Sequence, residues 1–307
     1  MNVRIARYFV AIAEHGSMRD AAEALNVAQP ALSRTISNLE QDHGLPLLER
    51  HSRGVNLTAA GEIFLRYARD ELVQHEQLRS DIEGLKGLQH GFVRITAIES
   101  FARSLLPRLI GAFWRIHPEI EFDVNTDVSD HLLAAVLEGE TDIGLTYNSL
   151  TPPGIEVRMR AREPMVALVA ANHPLANQPS ITMRDAAPYP AALTVRGSRS
   201  RYLVDEACRT ERVSLRMVLE TNYVELLTQL VEVTPAVTFL LRYSALDRIE
   251  SGTIRAIPIR NDLMNNSTIE ILTRASRQLP PAATEFLKAL TAELTPDGAD
   301  DEPDRDW

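Results

Sequence analysis

SMRDAAEALNVAQPALSRTISNLEQDHGLPLLERHSR, from Ser17 to Arg53, is the stretch that decides the N-terminal fold. Ser17 follows Gly16 and can cap a helix whose first turn carries Asp20, an acid suited to the positive helix end. Ala21, Ala22 and Leu25 then fall on one side, and Asn26 and Val27 make a turn. A second helix is expected from about Gln29, because Pro30 is tolerated only in a first turn, where its missing amide has no helix partner. Leu32, Ile36 and Leu39 recur at helical spacing and face inward. Gln29, Pro30, Ser33, Arg34, Ser37 and Asn38 are left on or near the outer face. Two short helices joined by a tight turn, the second carrying amides, hydroxyls and one guanidinium outward, make the pattern of a helix-turn-helix that reads base edges.

Leu47 to Leu57 places short apolar runs around a polar tip and reads as a wing, with Arg50 and Arg53 set for phosphates or a minor groove. Six arginines and six acids cancel between Met1 and Leu57, so one copy of this unit is a poor ligand for DNA. A solvated polar face on a structural helix is the plain alternative for either helix alone. The helix pair followed by an arginine-bearing hairpin favours the reader.

These segments resemble the LysR-type transcriptional regulators. The resemblance is carried by YFVAIAEHGSMRDAAEALNVAQPALSRTISNLE (Tyr8 to Glu40), GLPLLER, RGVNLTAAG, HPEIEF, EGETDIGL and NHPLA, and it extends to the start of the acidic tail. It implies DNA contacts at Gln29, Pro30, Ser33 and Arg34, with Arg50 and Arg53 in the wing. Ala28 stands where the family usually has a serine, so a cap and phosphate contact is missing there. Met18 and Leu48 replace common phenylalanines, a change a small core accommodates.

The 307 residues suffice for two or three domains of ordinary soluble composition. No signal peptide or membrane-spanning run is visible, and a cytoplasmic protein is expected. A single cysteine, Cys208, excludes an internal disulfide. The net charge of −10 is concentrated in the last residues, where Asp297, Asp300, Asp301, Glu302, Asp304 and Asp306 suggest a disordered tail over 297–307. The eight histidines show no metal-ligand spacing, and there is no nucleophile elbow, P-loop or GxGxxG. No enzyme activity, cofactor or metal is expected.

From Thr58 a proline-free helical pattern runs to about Leu85, with Phe64, Ala68, Leu72, His75, Leu78, Ile82 and Leu85 forming a narrow stripe. Such a helix needs a partner, and the resemblance makes it a dimerisation helix that sets two reading helices across a two-fold axis. Gly84, Gly87 and Gly91 mark a hinge. FVRITAI, IEFDV and DIGLTY then alternate as strands with helices at Leu105 to Ile116 and His131 to Leu137, an α/β pattern. MVALVA, AALTV, LRMVLE and VTFLL alternate with helices near Leu203 and Tyr223 in a second set, before STIEILTR and a helix from Pro281 return to the first. The expected architecture is α/β: a winged helix-turn-helix over 1–58, a linker helix over 59–88, and a two-lobed, periplasmic-binding-protein-like effector domain over 89–296. Lobe I is expected to take about 89–161 and 267–296, and lobe II about 162–266.

Ligands of such sheets bind beyond the carboxyl ends of strands, where helix amides are free. Applied here, the rule selects Ser100, Phe101, Thr126 and Tyr147 in lobe I and Thr194, Arg196, Thr238 and Phe239 in lobe II, a set suited to a small carboxylate. Each hydroxyl alone is as well explained as a cap, and only convergence favours a site. The resemblance further implies a dimer of dimers on an interrupted palindrome of double-stranded DNA, and an effector that alters contact with RNA polymerase. A small-molecule binding protein whose N-terminal unit serves only assembly, or a constitutive DNA-binding regulator, are the alternatives the residues leave open.

Overall fold

The computed structural model describes residues 2–51, 54–84, 90–275 and 277–295. Arg53, the expected stripe residue Leu85, Gly87 and the acidic tail lie outside the described residues. The chain divides into two compact units, the first running through the long helix and the second from the strand that begins at Gly91.

In the first unit, α1 (Val3–His15) is capped by Asn2 and ends at Gly16, which adopts a left-handed φ of 60°. Ser17 caps α2 (Met18–Ala24) by accepting from the Asp20 amide at 3.3 Å. Asn26, at φ 52°, turns the chain into α3 (Gln29–His43), where Pro30 occupies the first turn and Ala28 supplies no side-chain cap. Leu32, Ile36 and Leu39 bury against Phe9, Ile12, Met18 and Ala21. β1 (Leu48–His51) and β2 (Gly54–Leu57) pair antiparallel as the wing. The Val55 amide donates to the Gly16 carbonyl at 2.8 Å, and a Cβ on Gly54 would collide with that carbonyl, so glycine is required at this close approach. Glu40 accepts from the Leu47 and Leu48 amides at 2.9 and 3.1 Å, anchoring the wing to α3.

Thr58 accepts from the Gly61 amide at 3.0 Å and opens α4 (Ala59–Gly84). Its 26 residues span roughly 39 Å at the helical rise. The first turns close the small core: Phe64 stacks edge-on with Phe9 at 4.8 Å, and Leu65 and Ala68 are buried. Leu78 and Ile82, further along the stripe, are exposed.

The second unit holds two α/β lobes. Lobe I is a five-stranded sheet, β4–β3–β5–β12–β6, built from β3 (Gly91–Ala97), β4 (Ile120–Thr126), β5 (Ile143–Tyr147), β6 (Ile155–Arg162) and β12 (Thr268–Arg274). β3, β4 and β5 are parallel, while β12 runs antiparallel between β5 and β6. Helices α5 (Glu99–Ile116), α6 (Ser129–Glu138) and α12 (Pro281–Leu294) complete it. Helix α5 begins six residues before the expected Leu105. Pro107 therefore sits inside the helix rather than in its first turn. Burial of Phe101, Leu105, Leu106, Leu109 and Phe113 along one face offsets the roughly 3 kcal/mol that an interior proline costs.

Lobe II contains β7 (Val166–Ala170), β8 (Pro190–Thr194), β9 (Arg216–Thr221), β10 (Thr238–Leu240) and β11 (Ile254–Pro258). The order β10–β7–β11 is antiparallel, and a parallel bridge between Ala191 and Val237 joins it to the β8–β9 pair. Around them lie α7 (Met183–Ala186), α8 (Arg199–Glu211), α9 (Val224–Val233), α10 (Leu246–Glu250) and α11 (Asp262–Asn265). β6 and β11 are not among the strands expected from the sequence. Two crossovers connect the lobes and bond to each other, Glu163 N to Ser267 O at 2.9 Å and Met165 N to Met264 O at 3.1 Å.

Candidate DNA-reading surface and ligand cleft

On α3 the inward positions fix what faces out. Because Leu32, Ile36 and Leu39 are in the core, Gln29, Pro30, Arg34, Ser37 and Asn38 are exposed and Ser33 is half-buried beside them. Pro30, Arg34 and Asn38 stand one turn apart, with Ser33 and Ser37 alongside. The wing contributes Arg50, whose guanidinium donates to Ser33 Oγ at 3.2 Å and to Ser37 Oγ at 3.5 Å. Arg50 thus lies against the outer face of α3 within the unit itself.

In the second unit a cleft of about 410 Å³ opens between the lobes at the carboxyl ends of β3, β4, β5 and β8. Four of the eight residues selected from sequence line it: Ser100, Thr126, Tyr147 and Thr194. Four do not. Phe101 is the third residue of α5 and points into the core, edge-on to Tyr243 at 5.6 Å. Thr238 and Phe239 are buried within β10, the middle of their lobe, and it is Leu240 that reaches the cleft. Arg196 is exposed on the loop after β8, while Arg199, at the start of α8, supplies the cleft's guanidinium.

Residues the sequence reading left off the site are Glu99, Asp127, Ser129, Ser198, Arg199, Asn222 and Tyr223. Most lie at the starts of α5, α6, α8 and α9, so the strand-end rule extended to the β9–α9 loop would have found Asn222 and Tyr223. Serine and threonine hydroxyls interlock around the walls. Ser198 donates to Thr194 at 2.8 Å, Thr146 to Ser129 at 3.2 Å, and Ser100 and Ser244 share a hydrogen bond of 2.7 Å between the lobes. The Tyr147 hydroxyl bonds Ser267 on a crossover at 2.5 Å, and burial pushes its ionisation far up, so it remains a neutral phenol. Arg199 donates Nε to the Asn148 carbonyl at 2.8 Å and lies over the Tyr202 ring at 4.6 Å, and among the described residues no carboxylate pairs with it.

Two acids face the cleft. Asp127 accepts from the Val128 amide at 2.7 Å and bonds His131 at 3.1 Å. Glu99 reaches from α5 to the start of α9, accepting from the Val224 amide at 2.9 Å and the Glu225 amide at 3.2 Å. Burial raises its carboxyl above the ordinary range, opposed by the Val224 amide and by Arg103. Among the described residues no group of three or more His, Cys, Asp or Glu is placed to hold a metal ion, and no helix is long and apolar enough to cross a membrane.

Both units match known protein families. The profile of the bacterial regulatory helix-turn-helix protein, lysR family, matches residues 3–62, and that of the LysR substrate binding domain matches residues 86–295. The uncharacterized HTH-type transcriptional regulator YdcI of Escherichia coli (strain K12) is 30% identical over 295 residues, 94% of this chain and 95% of that protein. Among solved structures, a full-length OxyR variant from Pseudomonas aeruginosa superposes with a TM-score of 0.74 at 25% identity, covering 96% of this chain and 94% of that one. Full-length CbnR complexed with its target DNA shares the fold, with a TM-score of 0.66 at 24% identity over 95% of this chain and 99% of that one. With the two profiles matched in order along the chain, this protein belongs to the LysR family of DNA-binding transcriptional regulators.

Proposed function

We propose that the protein binds an interrupted palindromic promoter site as a dimer of dimers and responds to a small carboxylate held between its lobes. The domain limits that go with this are a reader over 1–58, a linker helix over 59–88 and an effector domain over 89–296. In this reading Gln29, Pro30, Ser33, Arg34, Ser37 and Asn38 face the major groove, with Arg50 and Arg53 at the backbone. Burial of Leu32, Ile36 and Leu39 on α3, which leaves Gln29, Pro30, Arg34, Ser37 and Asn38 exposed and Ser33 half-buried, is what supports the assignment. Leu78 and Ile82, exposed on α4, supply apolar surface for pairing two chains. Pairing answers the neutral charge of one reader, because two copies double the contacts made at fixed spacing.

The observation that carries the effector reading is the cleft itself: about 410 Å³, walled by both lobes, with hydroxyls, helix starts and one guanidinium that no carboxylate pairs with among the described residues. A ligand touching both lobes shifts their arrangement only by binding one arrangement better than another. The change would reach RNA polymerase through the spacing of the readers on DNA. Footprinting with analytical ultracentrifugation, with and without a panel of small carboxylates and aromatic acids, tests the whole. Two protected half-sites, a tetrameric complex and a ligand-dependent change in the footprint are expected. Protection without sequence preference would remove the operator reading, and a panel that leaves both melting temperature and footprint unchanged would remove the effector reading.

A further inference from the structure

The cleft already contains a carboxylate of its own. Glu99, the first residue of α5 in lobe I, crosses to lobe II and lays both oxygens on the first amides of α9, at 2.9 and 3.2 Å, although Val224 is 125 positions further along the chain. Helix α9 has ten residues, and Tyr223 before it gives no side-chain cap, so those amides depend on Glu99. An acid at this place has the chemistry of a ligand anion: backbone donors point at it and the helix dipole favours its charge.

The rest of the cleft offers room for one further anion. Ile98 supplies no side-chain cap to α5, whose first residues line the cleft with the Ser100 hydroxyl. Arg199 stands on the opposite wall without a carboxylate partner among the described residues. At α8 the corresponding place is filled, because Ser198 accepts from the Arg201 amide at 3.1 Å. A second ligand carboxylate would have to lie near Glu99 or Asp127, and like charges in a partly buried site repel.

We propose that Glu99 sets the charge of the ligand: the cleft takes a molecule with one carboxylate and refuses one with two, because the protein's own carboxylate fills the second anion place at α9. This rests on the reading of the cleft as a carboxylate site and adds its selectivity. It makes Glu99 a specificity-determining residue, one that acts by occupying donors a longer diacid would otherwise use. The lobes do not depend on it alone, since Arg103 of α5 pairs with Glu225 of α9 and Arg248 holds the same Glu225 at 2.6 Å.

The test is calorimetric titration of the full chain with butyrate and benzoate, which carry one carboxylate, and with succinate and glutarate, which carry two. Glu99→Ala should bind succinate or glutarate at least tenfold more tightly than the unsubstituted protein does, and should raise the ratio of diacid to monoacid affinity by a similar factor. Glu99→Gln, which keeps the shape and removes the charge, should move in the same direction by a smaller factor and serves if the alanine variant does not fold. No gain for diacids, or an equal gain for both classes, overturns the assignment of Glu99 while leaving monoacid binding to the unsubstituted protein intact. If the unsubstituted protein and both variants bind none of the four acids, the carboxylate reading of the cleft falls, and this inference with it.

Discussion

Replacing Ile36 by alanine tests whether the DNA-reading unit stands on its own core. Ile36 is fully buried on the inner face of α3, in a cluster with Phe9, Ile12, Leu32, Leu39 and Leu65 that shares no residue with the cores of the two lobes. Removing three carbons from such a site costs the transfer energy of the lost groups plus the cavity left behind, about 3 kcal/mol. A unit this small has little stability to spare, so the loss should appear as local opening rather than as a small shift in one global transition. Hydrogen exchange resolved by mass spectrometry measures it. Amides of α1 and α3 should exchange roughly 150-fold faster, the factor that 3 kcal/mol implies, while those of β3, β5 and β12 keep their rates. Specific DNA affinity should fall in parallel. Equal acceleration in both units would show that their stabilities are coupled and would refute the reasoning; unchanged exchange in α3 would show that Ile36 does not hold the helix.

Arg34→Ala should weaken binding to a selected operator by about 1 to 3 kcal/mol while nonspecific affinity changes far less, measured by fluorescence anisotropy on both duplexes; an unchanged ratio removes Arg34 as a base reader. Glu163, on the first crossover, has its carboxyl pushed by burial from 4.5 up to about 7, against the pull of Arg242. The folded chain therefore holds that proton more tightly than the unfolded chain. The stabilisation is full below about 4.5 and is lost as pH rises through about 7. Glu163→Gln should melt higher than the unsubstituted protein at about pH 8 and converge with it near about pH 4, and parallel melting curves would contradict this. Burial, with Asp205 and Glu211 nearby, pushes the Cys208 thiol up to about 11, so iodoacetamide should label it roughly a hundredfold more slowly than a free cysteine at neutral pH. Labelling at the free rate would mean that α8 opens readily.

The N-terminal unit was legible because its punctuation is local: Gly16, Ser17, Asn26 and Pro30 each do at the backbone what their chemistry suggests. Strand β6, IEVRMRAR, alternates cleanly, yet its outward face of glutamate and arginines makes it read as a polar loop. Its inward Ile155, Val157 and Met159 matter only once β12 lies beside them. The cleft was half legible for a similar reason. The strand-end rule states where the chain leaves a sheet, which located Ser100, Thr126, Tyr147 and Thr194. It does not state which way the next side chain turns, and the early start of α5 sends Phe101 inward while presenting Glu99 to the other lobe. The Glu99 bond joins residues 125 apart, and nothing local announces it.

Strand β12 sits between β5 and β6, yet it is made more than a hundred residues after either. During synthesis lobe I must therefore wait with its sheet split until Arg274 and then α12 leave the ribosome, whereas every strand of lobe II is already present. A chain cut short before β12 would carry the entire N-terminal unit and every strand of lobe II beside a lobe I sheet left in two pieces. Under the proposed function such a fragment would keep the DNA-contacting unit and lose the lobe arrangement that a ligand could bias.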